Sequence, residues 1–122
     1  MSAQGSDTLR WNSAGNLANN QYLQDNGQSA TEVNCQVLMN APGKLSNLYV
    51  ALSVAPGGVV SRTFTVRKNG VATALAVTIT GAATTGSDTT DVIAYAAGDL
   101  ISLVNTQSAP PVNATGIATV SV

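Results

Sequence analysis

Residues 61–80 read SRTFTVRKNGVATALAVTIT, and this stretch decides the fold class of the chain. Asn69-Gly70 stands at its centre. This dipeptide favours a two-residue hairpin loop, because both central residues of a type I′ turn need positive φ. A loop of this length pairs Phe64 with Leu75 and places both side chains on one face of the hairpin. The stretch therefore predicts two antiparallel β-strands.

Strand-like segments continue on both sides of this hairpin. Apolar side chains alternate with small or polar ones in most of them, which is the period of a half-buried strand. These segments are Gln21–Gln24, Val33–Met39, Leu45–Val54, Thr89–Tyr95, Leu100–Thr106 and Ala114–Val122. Residues 81–87 are expected to form a loop of small residues, and no stretch of ten or more residues carries a helical stripe. About seven to eight strands predict an all-β, antiparallel two-sheet sandwich of jelly-roll type.

The first 32 residues differ in composition from the rest of the chain. They are rich in Asn, Gln, Ser and Gly, so we expect an extended N-terminal arm over residues 1–32 and the sandwich over residues 33–122. Two interpretations of the arm stay open: a solvated segment, or one that lies over a neighbouring subunit or a particle surface. In the second, Leu9, Trp11 and Tyr22 anchor the contact, since aromatic residues concentrate at the centres of interfaces.

Charge is scarce in this chain. Charged residues make up 9% of the sequence, against a usual level of about 25%. Five basic and six acidic residues nearly cancel, and no basic block is present to neutralise phosphates, so we expect no nucleic-acid partner. We also expect no secretory signal and no membrane span. Near-zero net charge promotes association, which suggests that neighbouring copies cover part of the surface.

The residue types that usually carry catalysis are missing or isolated. The sequence contains no histidine, the commonest general base and metal ligand. Cys35 is its single cysteine, and the apolar neighbours Val33 and Val37 predict a buried thiol, with an intersubunit disulfide or a reactive thiol as the alternative. No phosphate-binding loop or zinc spacing is found. We therefore predict no enzyme and no cofactor.

Two small groups of charged residues have more than one interpretation. Asp88, Asp91 and Asp99 fit roles at turns and strand ends, with a metal on a threefold axis as the alternative. Arg67 and Lys68 form a basic group with Arg62. Such charges commonly protect an exposed sheet edge from aggregation, and contact with an acidic partner is the alternative.

The segment 64–110 resembles a module of phage and other viral structural proteins. The likeness lies in the Thr-hydrophobic-Arg-x-Asn-Gly hairpin at Thr65–Leu75, in Ser87–Thr89 after a Gly/Ser/Thr loop, and in the Gly-Asp-Leu strand at Ala94–Leu103. The upstream run Thr31–Val50 is similar to a strand entry of the same proteins. The pattern also resembles the jelly rolls of tumour-necrosis-factor-like and complement-type trimeric heads. That resemblance implies that the terminal strands lie in an inner sheet against a threefold axis.

The resemblance and the missing chemistry lead to one functional expectation. We expect a non-enzymatic virion protein, a homotrimer that decorates or cements a capsid or forms a head fibre, with another virion protein as its partner. The alternative is a receptor- or glycan-binding tip, for which the candidate aromatic residues are Trp11, Tyr22, Tyr49 and Tyr95. A minor hydrolase is the third and weakest candidate.

Overall fold

The computed structural model describes residues 8–122, and this part of the chain is an antiparallel all-β structure. Its strands are β1 Thr8–Asn12, β2 Gln21–Gln24, β3 Gly27–Ser29, β4 Val37–Leu38, β5 Gly43–Leu52, β6 Ser61–Lys68, β7 Val71–Thr80, β8 Thr85–Asp88, β9 Ile93–Tyr95, β10 Leu100–Gln107 and β11 Gly116–Ser121. Between β3 and β4 lies a 3₁₀ turn, Glu32–Cys35. No helix among the described residues has the length and apolarity to cross a membrane.

The strands join in the order β7-β6-β10-β2-β1-β11-β5-β8, while β3 pairs with β2, β4 with β10 and β9 with β5. The two end strands of this path, β7 and β8, approach each other, so the sheet nearly closes into a barrel. The eleven strands exceed the predicted seven to eight. The additional ones, β1, β3 and β8, have three to five residues, which is too short for a clear alternating pattern in the sequence.

The Asn69-Gly70 hairpin is confirmed. Both loop residues have positive φ, 52° and 79°, as a type I′ turn requires. The register changes farther from the loop, where Phe64 pairs with Val77 and not with Leu75. This slip of two residues keeps Phe64, Leu75, Val77 and Ile79 together on the buried face, because the side-chain period of a strand is two.

Strand β5 contains a bulge that the sequence pattern does not reveal. Asn47 has a φ of 55°, and the register with β11 shifts by one residue at this point. As a result Leu45 and Leu48 are both fully buried although three positions separate them. The bulge also divides β5 into a first part that pairs with β9 and a second part that pairs with β8.

The N-terminal segment differs from the expected arm. Residues 8–12 form β1, which pairs with β11 along its whole length, and Trp11 is 1% exposed in the core. Leu23 of β2 is fully buried in the same core. Trp11 follows Leu9 at the two-residue spacing of a strand, and this pattern outweighs the polar composition. Residues 1–7 of the expected arm lie outside the described residues.

Two further segments differ from the prediction. Val33–Met39, expected as a strand, begins inside the 3₁₀ turn and contains only the two-residue strand β4. The expected loop 81–87 contains β8 instead. A Cβ atom at Gly86 would lie 2.6 Å from Cγ1 of Val77, so the small residue permits close packing of β8 on β7.

Candidate interaction surface

The outer side of β8, β5 and β11 forms a continuous surface, because these strands are neighbours in the sheet. Tyr49 pairs with Ser87 on one side and with Thr119 on the other. One step along the strands, Ala51 pairs with Thr85 and with Ile117. Side chains of alternate residues share a face, so these six point away from the core. We call them the Tyr49 face: Tyr49, Ala51, Thr85, Ser87, Ile117 and Thr119.

The Tyr49 face leaves large apolar side chains in solvent. Tyr49 is 53% exposed and Ile117 is 41% exposed, and they flank a shallow groove of about 300 Å³. All six residues of the face are uncharged. Tyr49 is also the most exposed aromatic side chain of the described residues, since Trp11 and Phe64 lie in the core.

The chemistry of the Tyr49 face is that of a contact surface. It offers an aromatic ring, a branched aliphatic side chain and three hydroxyl groups from Thr85, Ser87 and Thr119. The centres of protein interfaces are depleted in charge and enriched in aromatic residues, and this face has both properties. None of its side chains is a general base or a metal ligand at neutral pH.

None of the three interface residues predicted from the sequence belongs to the Tyr49 face. Trp11 lies in the core, and Leu9 packs against the core opposite Val120. Tyr22 is half-buried, and the guanidinium of Arg67 lies 5.8 Å from the centre of its ring. Burial of Trp11 removes it from the surface, whereas Leu9 and Tyr22 are partly exposed and their interface role stays a prediction.

The sequence did not single out Ile117, and it marked Tyr49 only as one of four candidate aromatic residues for a glycan-binding tip. A signal for them exists. Tyr49 alternates with the buried residues Leu48 and Val50, and Ile117 alternates with Ala118. A large apolar residue on the outward side of a half-buried strand predicts an exposed apolar position. Pairing of β5 with β11 then joins the two positions, and that pairing is not visible in the sequence.

Asp88 connects the two ends of the sheet. Its carboxylate accepts hydrogen bonds from the backbone N–H of Ala76 on β7 at 3.2 Å and from those of Thr90 and Asp91 at 3.1 Å. Burial acts to raise the pKa of Asp88, but these hydrogen bonds outweigh it and lower the pKa from 3.8 to about 2. Asp88 therefore joins β8 to β7 where no backbone ladder connects them.

Of the other two acidic residues of this group, Asp99 holds a turn and Asp91 interacts with Asp88. Asp99 accepts hydrogen bonds from the backbone N–H of Ala96 at 2.8 Å and from Nδ2 of Asn69 at 2.9 Å. These contacts lower the pKa of Asp99, the Ala96 contact being the largest cause. The hydrogen bond with Asp88 raises the pKa of Asp91. The predicted turn role is confirmed for Asp99, and residues 8–122 contain no cluster of three or more potential metal-ligating side chains.

The basic residues of β6 do not protect a sheet edge, because β6 lies between β7 and β10. Arg67 forms an ion pair with Glu32, Nε to Oε2, at 2.8 Å. Ser102 donates a hydrogen bond to the same oxygen at 2.7 Å. Burial acts to raise the pKa of Glu32, but the contacts with Arg67 and Ser102 outweigh it and lower the pKa. This cluster fastens the 3₁₀ turn to the outer side of β6 and β10.

Arg62 has a different environment from Arg67. It is 1% exposed, and burial lowers its pKa. Its guanidinium donates hydrogen bonds to the carbonyl oxygens of Leu17 at 3.3 Å and Val112 at 3.2 Å, and to Oε1 of Gln107 at 2.8 Å. Arg62 thus holds the connecting segments that contain Leu17 and Val112 against the end of the sheet.

Cys35 is buried, as the sequence predicts. It is 5% exposed, and its Sγ lies 3.4 Å from the carbonyl oxygen of Tyr22. Burial raises the pKa of the Cys35 thiol, so the protonated form is favoured at neutral pH. This environment suits a core residue better than a nucleophile.

Comparison with known proteins adds no relative to this description. No protein-family model matches the chain, and no curated protein matches it. The likeness to viral structural modules therefore rests on the motifs at Thr65–Leu75, Ser87–Thr89 and Ala94–Leu103 alone. The chemistry of the Tyr49 face is the basis for a functional proposal.

Proposed function

We propose that this chain is a non-enzymatic structural protein of a virus or phage particle. It forms a homotrimer that decorates or cements the capsid or forms a head fibre on it. Copies contact one another through the Tyr49 face. The observation that carries this proposal is the exposure of Tyr49 and Ile117 on an uncharged sheet surface. Burying these side chains against a second copy removes apolar area from water and leaves no charge unpaired.

The strand order supports a jelly-roll arrangement. The sheet divides into two groups of four strands, β7-β6-β10-β2 and β1-β11-β5-β8. A single residue pair, Asn12 with Gln24, links β1 to β2, so the two groups have room to fold over one core. Two such layers are the arrangement of a jelly roll.

The position of the terminal strands supports the same oligomer. β1 and β11 belong to the group whose outer side carries the Tyr49 face. The resemblance to trimeric heads implies that the sheet with the terminal strands faces the threefold axis. Closed cyclic symmetry is the usual form of soluble oligomers, and a flat sheet face is suited to it.

The mass of the purified protein tests the oligomer. Static light scattering at micromolar concentration should give three times the chain mass of 12.3 kDa. A mass of one chain that persists on concentration would contradict the trimer. The particle role is tested separately. In a density gradient of lysate from cells that produce the protein, the chain should sediment with particles. Recovery in the soluble fraction alone would contradict that role.

A second function, recognition of an uncharged glycan, is favoured by one observation. The groove of the Tyr49 face joins an exposed aromatic ring to the hydroxyl groups of Thr85, Ser87 and Thr119. Sugars commonly stack on aromatic rings and bond to hydroxyls. Tyr95, an earlier candidate for this role, packs against the core instead and covers Gly43.

A glycan array distinguishes the two functions. A receptor-binding tip should bind an array ligand, and Tyr49→Ala should abolish binding while Tyr95→Ala retains it. A virion assembly protein should give no signal on the array, and Tyr49→Ala should instead lower its mass in light scattering.

A further inference from the structure

The chain contains two Asn-Gly pairs, and the structure surrounds them differently. They are Asn26-Gly27, where the turn after β2 meets the first residue of β3, and Asn69-Gly70, in the turn between β6 and β7. In an asparagine followed by glycine, the backbone nitrogen of the glycine attacks the side-chain amide of the asparagine more readily than in other residue pairs. Glycine has no Cβ, so its nitrogen can approach the preceding side chain without steric hindrance.

Asn69 is held at both ends of its side-chain amide. Its Oδ1 accepts a hydrogen bond from the backbone N–H of Leu100 at 2.9 Å. Its Nδ2 donates to Oδ1 of Asp99, also at 2.9 Å. The backbone N–H of Asn69 donates to the carbonyl oxygen of Leu100 at 2.8 Å. Asp99 is itself fixed, because its second oxygen accepts from Ala96.

Asn26 has no such support. It is exposed and lies in the loop between Gln24 and Gly27, which pair with each other across the hairpin. Within residues 8–122 no hydrogen bond restrains its side-chain amide. The strands on either side are short, three residues in β3 and four in β2, so the loop is less constrained than the tip of the long β6–β7 hairpin.

We propose that Asn26 is a site of spontaneous covalent modification through a succinimide, and that the contacts with Asp99 and Leu100 protect Asn69 from the same reaction. The backbone nitrogen of Gly27 loses its proton to solvent base and attacks Cγ of Asn26. The new C–N bond closes a five-membered ring, the Cγ–Nδ2 bond breaks, and ammonia leaves. Water then opens the ring at either carbonyl and yields aspartate or isoaspartate, with no oxidant or reductant involved.

The two hydrogen bonds oppose this reaction at Asn69 for a geometric reason. Attack by the nitrogen of Gly70 requires the Asn69 side chain to rotate so that Cγ approaches the backbone. Rotation breaks the contacts of both amide atoms with Asp99 and Leu100. The free-energy cost of breaking these contacts is expected to slow the reaction at Asn69 at least roughly tenfold relative to Asn26.

Peptide mass spectrometry of the full-length folded protein tests the proposal. The protein is incubated at mildly alkaline pH, digested at intervals, and the peptides with Asn26 and Asn69 are quantified for aspartate, isoaspartate and succinimide. Asn26 should be converted roughly tenfold faster than Asn69. In concentrated urea the two rates should become similar, because both residues precede glycine. Equal rates in the folded protein, or a difference that persists in urea, would overturn the proposal.

Variants of Asp99 isolate the protecting contact. Asp99→Ala removes the acceptor for Asn69 Nδ2 and should accelerate conversion of Asn69 while the rate at Asn26 stays unchanged. Asp99→Asn keeps an acceptor oxygen and should retain most of the protection. Circular dichroism establishes that each variant is folded, and if Asp99→Ala is unfolded the urea comparison decides alone. An Asn69 rate that is the same in folded Asp99→Ala and the unmodified sequence would contradict the protecting role.

Discussion

At the scale of single residues, Asp88 connects two strands that are not paired in the sheet. β7 and β8 are the end strands of the sheet, and no backbone ladder connects them among the described residues. The Asp88 carboxylate bridges this seam to Ala76 and also fixes the turn at Thr90. Charge-assisted hydrogen bonds of this kind are roughly twice as strong as neutral ones.

Asp88→Ala should therefore lower the free energy of unfolding by about 2 kcal/mol, because a backbone N–H of β7 loses its partner. Urea unfolding followed by circular dichroism measures this change. Asp25→Ala is the matched control, since Asp25 is exposed in the β2–β3 loop, and it should change the free energy by less than about 0.5 kcal/mol. Equal effects of the two substitutions would contradict the bridging role.

The stabilisation from Asp88 should depend on pH in a defined window. The pKa of Asp88 is lowered in the folded state, so the charged form stabilises the fold above the ordinary pKa of 3.8. This contribution is lost as the pH falls from 3.8 through about 2. The difference in unfolding free energy between the unmodified sequence and Asp88→Asn should shrink across this window. A difference that is constant with pH would contradict the prediction.

At the scale of elements, the long strands could be predicted from alternation and the short ones could not. The faces of β6 and β7 are confirmed, because eight and ten residues of alternating pattern leave one consistent solution. Asn47 and the slip near Thr65 change the register without a distinct sequence signal. β8 was missed because glycine and small residues are typical of loops as well as of close strand contacts.

The close contact of β8 with β7 gives a prediction for one glycine. Gly86→Ala places a Cβ 2.6 Å from Cγ1 of Val77, so either β8 or the Val77 side chain must shift. We expect the free energy of unfolding to fall by about 1–3 kcal/mol. Gly15→Ala is the control, because a Cβ there meets no atom within 4 Å. Chemical denaturation measures both, and an unchanged stability of Gly86→Ala would show that β8 does not pack as described.

At the scale of the whole molecule, the all-β fold could be predicted from the sequence, but the position of the face that we propose as the contact between copies could not. Composition indicated the fold class and the scarcity of charge. Trp11 was expected at an interface and instead fills the core, since a strand pattern at Leu9 and Trp11 attaches the N-terminal segment to β11. The Tyr49 face depends on which strands become neighbours. That information comes from long-range pairing and not from any local pattern.

The measurement that tests the proposed contact most directly is the mass of charged variants of the Tyr49 face. Tyr49→Lys places an ammonium group at the centre of the face, and burying an unpaired charge against a second copy is strongly unfavourable. Light scattering at micromolar concentration should give the mass of one chain for Tyr49→Lys. The control Val59→Lys should give the mass of three chains, because Val59 is 92% exposed and lies outside this face. A trimer that persists in folded Tyr49→Lys would contradict the Tyr49 face as the contact between copies.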